Sequence, residues 1–146
     1  MMQVQRLASW LADEGLEGFT YQADGYDPAG NVFLDWHPDQ PDLSVCLMGR
    51  PGSVDDAGYG YDRVVVQVIT RGPAGGQAQA WQLCEDIRLA VTGLHSVDLA
   101  EGVTVVRAWA WEGQPTAMGN DDAGRPEYTV HLELELTQPT GLRPLG

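Results

Sequence analysis

Three histidines, His37, His95 and His131, are the side chains best suited to hold a metal or move a proton. A zinc site built on one element needs ligands at a helical or turn spacing, such as a pair four residues apart. These three fall in separate segments with no such pair, so spacing gives a metal centre no support. Asp55-Asp56 and Asp121-Asp122 place paired carboxylates in Gly-rich stretches. A calcium loop needs oxygen ligands at alternate positions and a closing Glu at its end. Neither stretch has both, and turn chemistry alone accounts for Asp beside Gly. The serines are Ser9, Ser44, Ser53 and Ser96, none in a Gly-x-Ser-x-Gly elbow. Gly58-x-Gly60 precedes a strand-like run instead of a helix, the wrong context for a dinucleotide loop. All eight basic residues are arginine. Without lysine there is no Schiff base and no phosphate-binding P-loop lysine. Cys46 and Cys84 read as a reduced, buried pair of small hydrophobes, and a disulfide between them would require the two to face each other. The expectation is therefore a chain with no catalytic residue, no cofactor and no metal.

The elements that would carry these residues are legible in the hydrophobic pattern. Val4, Leu7, Ala8 and Leu11 line one face of a helix over residues 2–14, ended by Gly15 and Gly18. Residues 20–30 suit a loop. Residues 31–36 and 43–48 read as strands, separated by the turn signals of Pro38, Asp39, Pro41 and Asp42. The β-branched run Val64-Val65-Val66-Gln67-Val68-Ile69-Thr70 is the strongest strand of the first half. After the Gly/Pro hinge at 72–76, Ala80, Leu83, Cys84, Ile87, Ala90, Val91 and Leu94 recur at helical spacing. Residues 103–111 read as a strand with Val103, Val105, Arg107, Trp109 and Trp111 on one face. In the last strand Tyr128, Val130, Leu132, Leu134 and Leu136 alternate with Thr129, His131, Glu133 and Glu135. Residues 50–60 and 113–125 are expected to be long mobile loops.

Two helices cannot cover both faces of such a sheet. The expected fold is α+β, a two-layer sandwich: a mixed, mainly antiparallel sheet of about four to five strands with two helices packed on one face. One domain is expected over residues 1–137, with an extended tail over 138–146. The other sheet face would present Val65 and Ile69, or Trp109 and Trp111, depending on register, and so invites a neighbour. The chain carries 21 acidic against 8 basic residues, a net charge of −13. A field this negative repels phosphate backbones, so nucleic-acid grip is disfavoured. No apolar run approaches the length of a membrane span, and residues 1–6 lack a signal peptide's apolar stretch. A soluble protein made in the cytoplasm, with no membrane partner, is expected.

Against this inventory the chain resembles the tail terminator proteins of long-tailed phages, also described as minor capsid or head–tail joining proteins. The resemblance rests first on the strand closing at Gln67-x-x-Thr70-Arg71-Gly72 and the helix ending Val91-Thr92-Gly93-Leu94-His95. Upstream it includes Pro38-Asp39-Gln40-Pro41-Asp42 before an apolar strand. Downstream it includes Gln114-Pro115-x-x-Met118-Gly119-x-Asp121-x-x-Gly124-Arg125 before the last strand. The resemblance implies a structural virion protein at the head–tail junction, assembled in the host cytoplasm. It implies a homo-oligomeric ring, a hexamer, that caps the tail tube, stops its elongation and joins the head connector. Its partners would be further copies of itself, the tail tube protein and the head completion or connector protein, with DNA passing through unbound. Contact residues expected on this basis are Tyr59, Arg71, Arg107, Met118, Asp121, Arg125, Glu133 and Glu135, the arginines pairing with carboxylates across subunits. The competing reading is a small α+β ligand-binding domain or enzyme with a pocket between helices and sheet. It needs convergent polar groups on the inner face, where the sequence offers Val, Leu, Ala and Cys.

Overall fold

The computed structural model describes residues 2–22, 30–56 and 61–138. The expected tail from residue 139 onward, Tyr59, and parts of the 20–30 and 50–60 segments lie outside the described residues. Two helices, α1 (Gln3–Asp13) and α2 (Gln77–Val91), accompany seven strands. The strands are β1 (Val32–Leu34), β2 (Ser44–Asp56), β3 (Tyr61–Arg71), β4 (His95–Asp98), β5 (Thr104–Ala110), β6 (Thr116–Asn120) and β7 (Pro126–Thr137). They form one sheet in the order β1-β2-β3-β7-β5-β4, with β6 added to β7. Only β1 and β2 run parallel; the other pairs are antiparallel.

Both helices bury their apolar stripe on the same sheet face, as the sequence pattern predicts. Val4, Leu7, Ala8 and Leu11 of α1 and Leu83, Cys84, Ile87 and Val91 of α2 join Val66, Val68, Val130, Leu132, Leu134 and Leu136 in one core. Gly93, at φ +87°, ends α2 in the left-handed conformation that glycine adopts without a Cβ clash.

The sheet is larger than the four to five strands expected: one strand runs further and two short strands are added. The segment read as a loop from residue 50 is largely strand: β2 continues to Asp56 along β3, through register shifts on both sides of Ser53. Gly52, which looked like loop punctuation, is there because a Cβ would stand 1.9 Å from the carbonyl oxygen of Arg63. Within the segment read as a loop over residues 113–125, β6 pairs with the start of β7. All five of its residues are exposed, so it has no apolar alternation to reveal it. The short edge strand β4 is likewise solvent-facing, with one half-buried residue.

The facing expected for β5 also changes along its length. A bulge lies between Val105 and Arg107. Val103 and Val105 point into the core before it, and Ala108 and Ala110 after it. The bulge thus moves Arg107 and Trp109 to the opposite face from Val105, where the sequence placed all of them together.

Candidate functional site

The outer face of the sheet, away from the helices, gathers most of the polar chemistry. Residues opposite one another in register share a face. Glu133 of β7 lies opposite Val65 of β3 and Trp109 of β5, and Glu135 lies opposite Arg63 and Arg107. Arg107 Nε donates to Glu135 Oε2 at 2.7 Å, and its guanidinium lies 4.9 Å from the Trp109 ring centroid. Arg63 approaches the same ring at 5.7 Å and pairs with Glu133 at 3.6 Å. Trp111 donates its indole N–H to Glu133 at 2.8 Å and stacks on His131, the centroids 4.8 Å apart. His131 Nδ1 meets Glu112 Oε2 at 2.6 Å, and Glu112 also accepts the His131 backbone N–H at 2.8 Å. Nearer β2, Arg50 Nε donates to Gln67 at 2.9 Å, and Gln67 donates to Thr129 at 3.2 Å. The result is a lattice of arginine, tryptophan and glutamate. Trp111 at its edge is 56% exposed.

A second cluster closes one end of the sheet. Strands β1 and β2 run parallel, yet only residues 35–43 connect them. So short a return leaves carbonyls without backbone partners, and a buried carbonyl needs a donor. Arg71, at the end of β3, supplies it. Its Nη2 donates to the carbonyls of Pro38 at 2.9 Å, Asp39 at 3.2 Å and Pro41 at 2.8 Å. Nε reaches Asp42 O at 3.4 Å. The Gln40–Pro41 peptide within this loop is cis.

Arg125 ties the same loop to the turn between β6 and β7. It pairs with Asp39 at 2.8 Å, Asp42 at 3.2 Å and Asp121 at 2.8 Å, and also donates to the Asp39 carbonyl. Asp121 shapes the turn itself, accepting the backbone N–H groups of Ala123 at 3.0 Å and Arg125 at 2.9 Å. Those bonds, the one from the Arg125 backbone foremost, hold its carboxyl below the usual range. His37, Arg71, Asp121 and Arg125 line an open cleft of about 460 Å³. Burial, and then the charges of Arg71 and Arg125, push His37 down from 6.5 to about 4. It is therefore a neutral imidazole whose Nε2 meets Ser44 Oγ at 2.6 Å. Every cation of the cleft is already matched by a carboxylate or carbonyl of the chain, which suits a structural clamp.

The expected contact residues divide accordingly. Arg107, Glu133 and Glu135 come together on the outer face. Arg71, Asp121 and Arg125 meet in the clamp, where Arg71 is 4% and Arg125 6% exposed. Their forks bind the chain's own loop, so neither guanidinium is presented to solvent. Met118 stands apart on β6, 49% exposed. Sequence reasoning missed Arg63 and Glu112, and it missed the clamp partners Asp39 and Asp42. The Pro-Asp-x-Pro-Asp turn was the one available signal for the last two. The cysteines are free and buried, and burial raises Cys46 to about 11 and Cys84 to about 12. Among the described residues no group of three or more His, Cys, Asp or Glu side chains is arranged to hold a metal ion. No helix among them is long and apolar enough to cross a membrane.

The fold is shared with a solved structure. A chain described as "Virion of native gene transfer agent (GTA) particle" superposes with a TM-score of 0.54 at 20% identity, covering 73% of this chain and 78% of its own. A second solved chain, 21% identical, covers 94% of this chain and 95% of its own at a TM-score of 0.47, too low to add to the comparison. No curated protein matches. Residues 14–138 match the family described as bacteriophage tail terminator protein. That span begins just past the end of α1 and takes in both clusters, and the chain therefore belongs to the bacteriophage tail terminator proteins, a family of structural virion proteins.

Proposed function

We propose that the chain assembles into a ring of six subunits that caps the completed tail tube, stops its elongation and joins the tail to the head connector. Membership of the tail terminator family gives the tail-related structural role. The number of subunits and the capping function follow from what the resemblance implies. The observation that carries the assembly reading is the outer sheet face. Its arginine–tryptophan–glutamate lattice is uncovered by either helix, and its arginines and tryptophans are among the residues enriched at protein interfaces. The shared fold with a chain from a gene transfer agent virion accords with a place in a particle. The space between helices and sheet is filled by apolar side chains, which leaves the small-ligand reading without a site there.

The acidic charge fits the same role. A ring that surrounds passing DNA works best when it does not grip phosphates. Copies carrying −13 each also repel one another, so a contact between them is favoured where arginines offset the local acidic charge. The test is the mass of the purified protein, alone and mixed with tail tubes, by native mass spectrometry and negative-stain imaging. The reading predicts six-fold rings, free or seated on tube ends. A protein that stays monomeric in both settings contradicts it.

A further inference from the structure

We infer that the uncovered part of the outer sheet face, centred on Arg107, Trp109 and Trp111, is where a second copy of this chain docks. It receives the acidic C-terminal end of α1 from that copy. The inference rests on the ring reading above and names the two surfaces that would meet.

The first argument is where the positive charge lies. Among the described arginines, Arg6, Arg71 and Arg125 are buried, and Arg88 is held by Glu85 on α2. Arg50, Arg63 and Arg107 remain, and register puts all three on the outer face. There they stand against Glu112, Glu133 and Glu135, so a surface near neutrality exists within a chain of −13. It is the surface on which an acidic chain can receive an acidic element of a second copy with the least repulsion.

The second argument is the state of Arg107. It is 61% exposed and uses only Nε, toward Glu135. Among the described residues its two terminal nitrogens have no hydrogen-bond partner. The Trp109 ring beneath restrains the guanidinium, so little side-chain freedom is lost when a carboxylate arrives. Further along the same face, Trp111 is fixed by its hydrogen bond to Glu133 and its stack on His131 while half its surface stays open. A restrained Arg stacked on one Trp, with a second rigid and exposed Trp on the same face, has the composition of an interface hot spot.

The third argument identifies the complement. Asp13, Glu14 and Glu17 are all exposed at the end of α1, whose last turn holds no basic residue. The carboxylates sit at the negative end of the helix dipole, an arrangement that a cation relieves. Among the described residues most other exposed acids are engaged within the chain, as Asp39 and Asp42 are with Arg125, Asp98 with Thr104 and Glu101 with Arg6; Asp122, a single carboxylate on the β6–β7 turn, is the exception. Helix α1 packs over β1 and β2, whereas the Trp109–Trp111 patch lies on β5, toward the opposite edge of the sheet and on its other face. Two surfaces on opposite sides of one molecule meet only head to tail, and a head-to-tail contact that closes makes a ring.

The experiment compares wild type, Arg107→Glu, Arg107→Ala and Trp111→Ala by light scattering at matched concentrations, with tail tubes added in a parallel series. Circular dichroism and Tm check the fold. Each variant should remain folded and associate about tenfold more weakly or worse. Adding Glu14→Arg and Glu17→Arg to Arg107→Glu should restore assembly by exchanging the charges. Rings of undiminished strength from folded Arg107→Glu and Trp111→Ala would overturn this face while leaving the ring reading intact. Loss of the ring without recovery in the exchanged chain would overturn the α1 half. A wild type that never associates, with or without tubes, would remove the ring itself and this inference with it.

Discussion

At the scale of single residues, the chain spends its arginines in two ways. Arg71 and Arg125 are consumed inside, holding a loop that the short parallel connection of β1 to β2 leaves rich in unpaired carbonyls. Arg71→Ala should cost about 2–3 kcal/mol, since hydrogen bonds from a buried charged donor to several partly buried carbonyls are lost. Chemical denaturation would show it as a lowered midpoint with unchanged slope, and an unaltered midpoint would mean the clamp holds nothing. His37 gives the clamp a pH signature. Its pKa is about 4 in the fold against an ordinary 6.5, so below 6.5 the unfolded chain binds a proton that the folded chain refuses. Stability should therefore fall as pH drops from 6.5 toward 4, and the contribution is fully present above 6.5. Thermal melts across that window should show a shallower slope for His37→Asn than for wild type. Identical slopes would exclude His37 as the source.

At the scale of elements, legibility followed locality. The alternation of Val130, Leu132, Leu134 and Leu136 fixes the facing of β7 from sequence alone, because all of them meet one core. Leu132→Asp, placing a charge at a fully buried position, should unfold the domain, whereas Leu132→Ala should cost about 2–5 kcal/mol. Native circular dichroism from the Asp variant would refute that facing. The later part of β2 was not legible, since Pro51, Gly52 and Ser53 are strand residues only by virtue of β3 across from them. Gly52→Val should break that pairing because backbone, not a movable side chain, occupies the space. Slowed hydrogen exchange preserved in β3 amides of the variant would show that the strands had accommodated it. The bulge near Arg107 was invisible for the same reason. A one-residue slip decides which face Trp109 occupies, and nothing in the local pattern encodes it. Nor could residue type distinguish Arg107, whose terminal nitrogens face out, from Arg71, which faces the chain's own loop.

At the scale of the whole molecule, the helices cover one sheet face and leave the other with a neutral, aromatic lattice, in a chain whose charge otherwise opposes self-association. Those features, with membership of the tail terminator family, make a coherent account of a ring that ends a tail. The central claim is that this chain decides where the tail stops and lets it meet the head. The direct measurement is the distribution of tail lengths, by negative-stain microscopy, in cells infected by a phage carrying a verified null of this gene, with and without the gene supplied in trans. The account predicts overlong or unjoined tails in the null and a single tail length with joined heads on complementation. Uniform tails joined to heads in the null would contradict it.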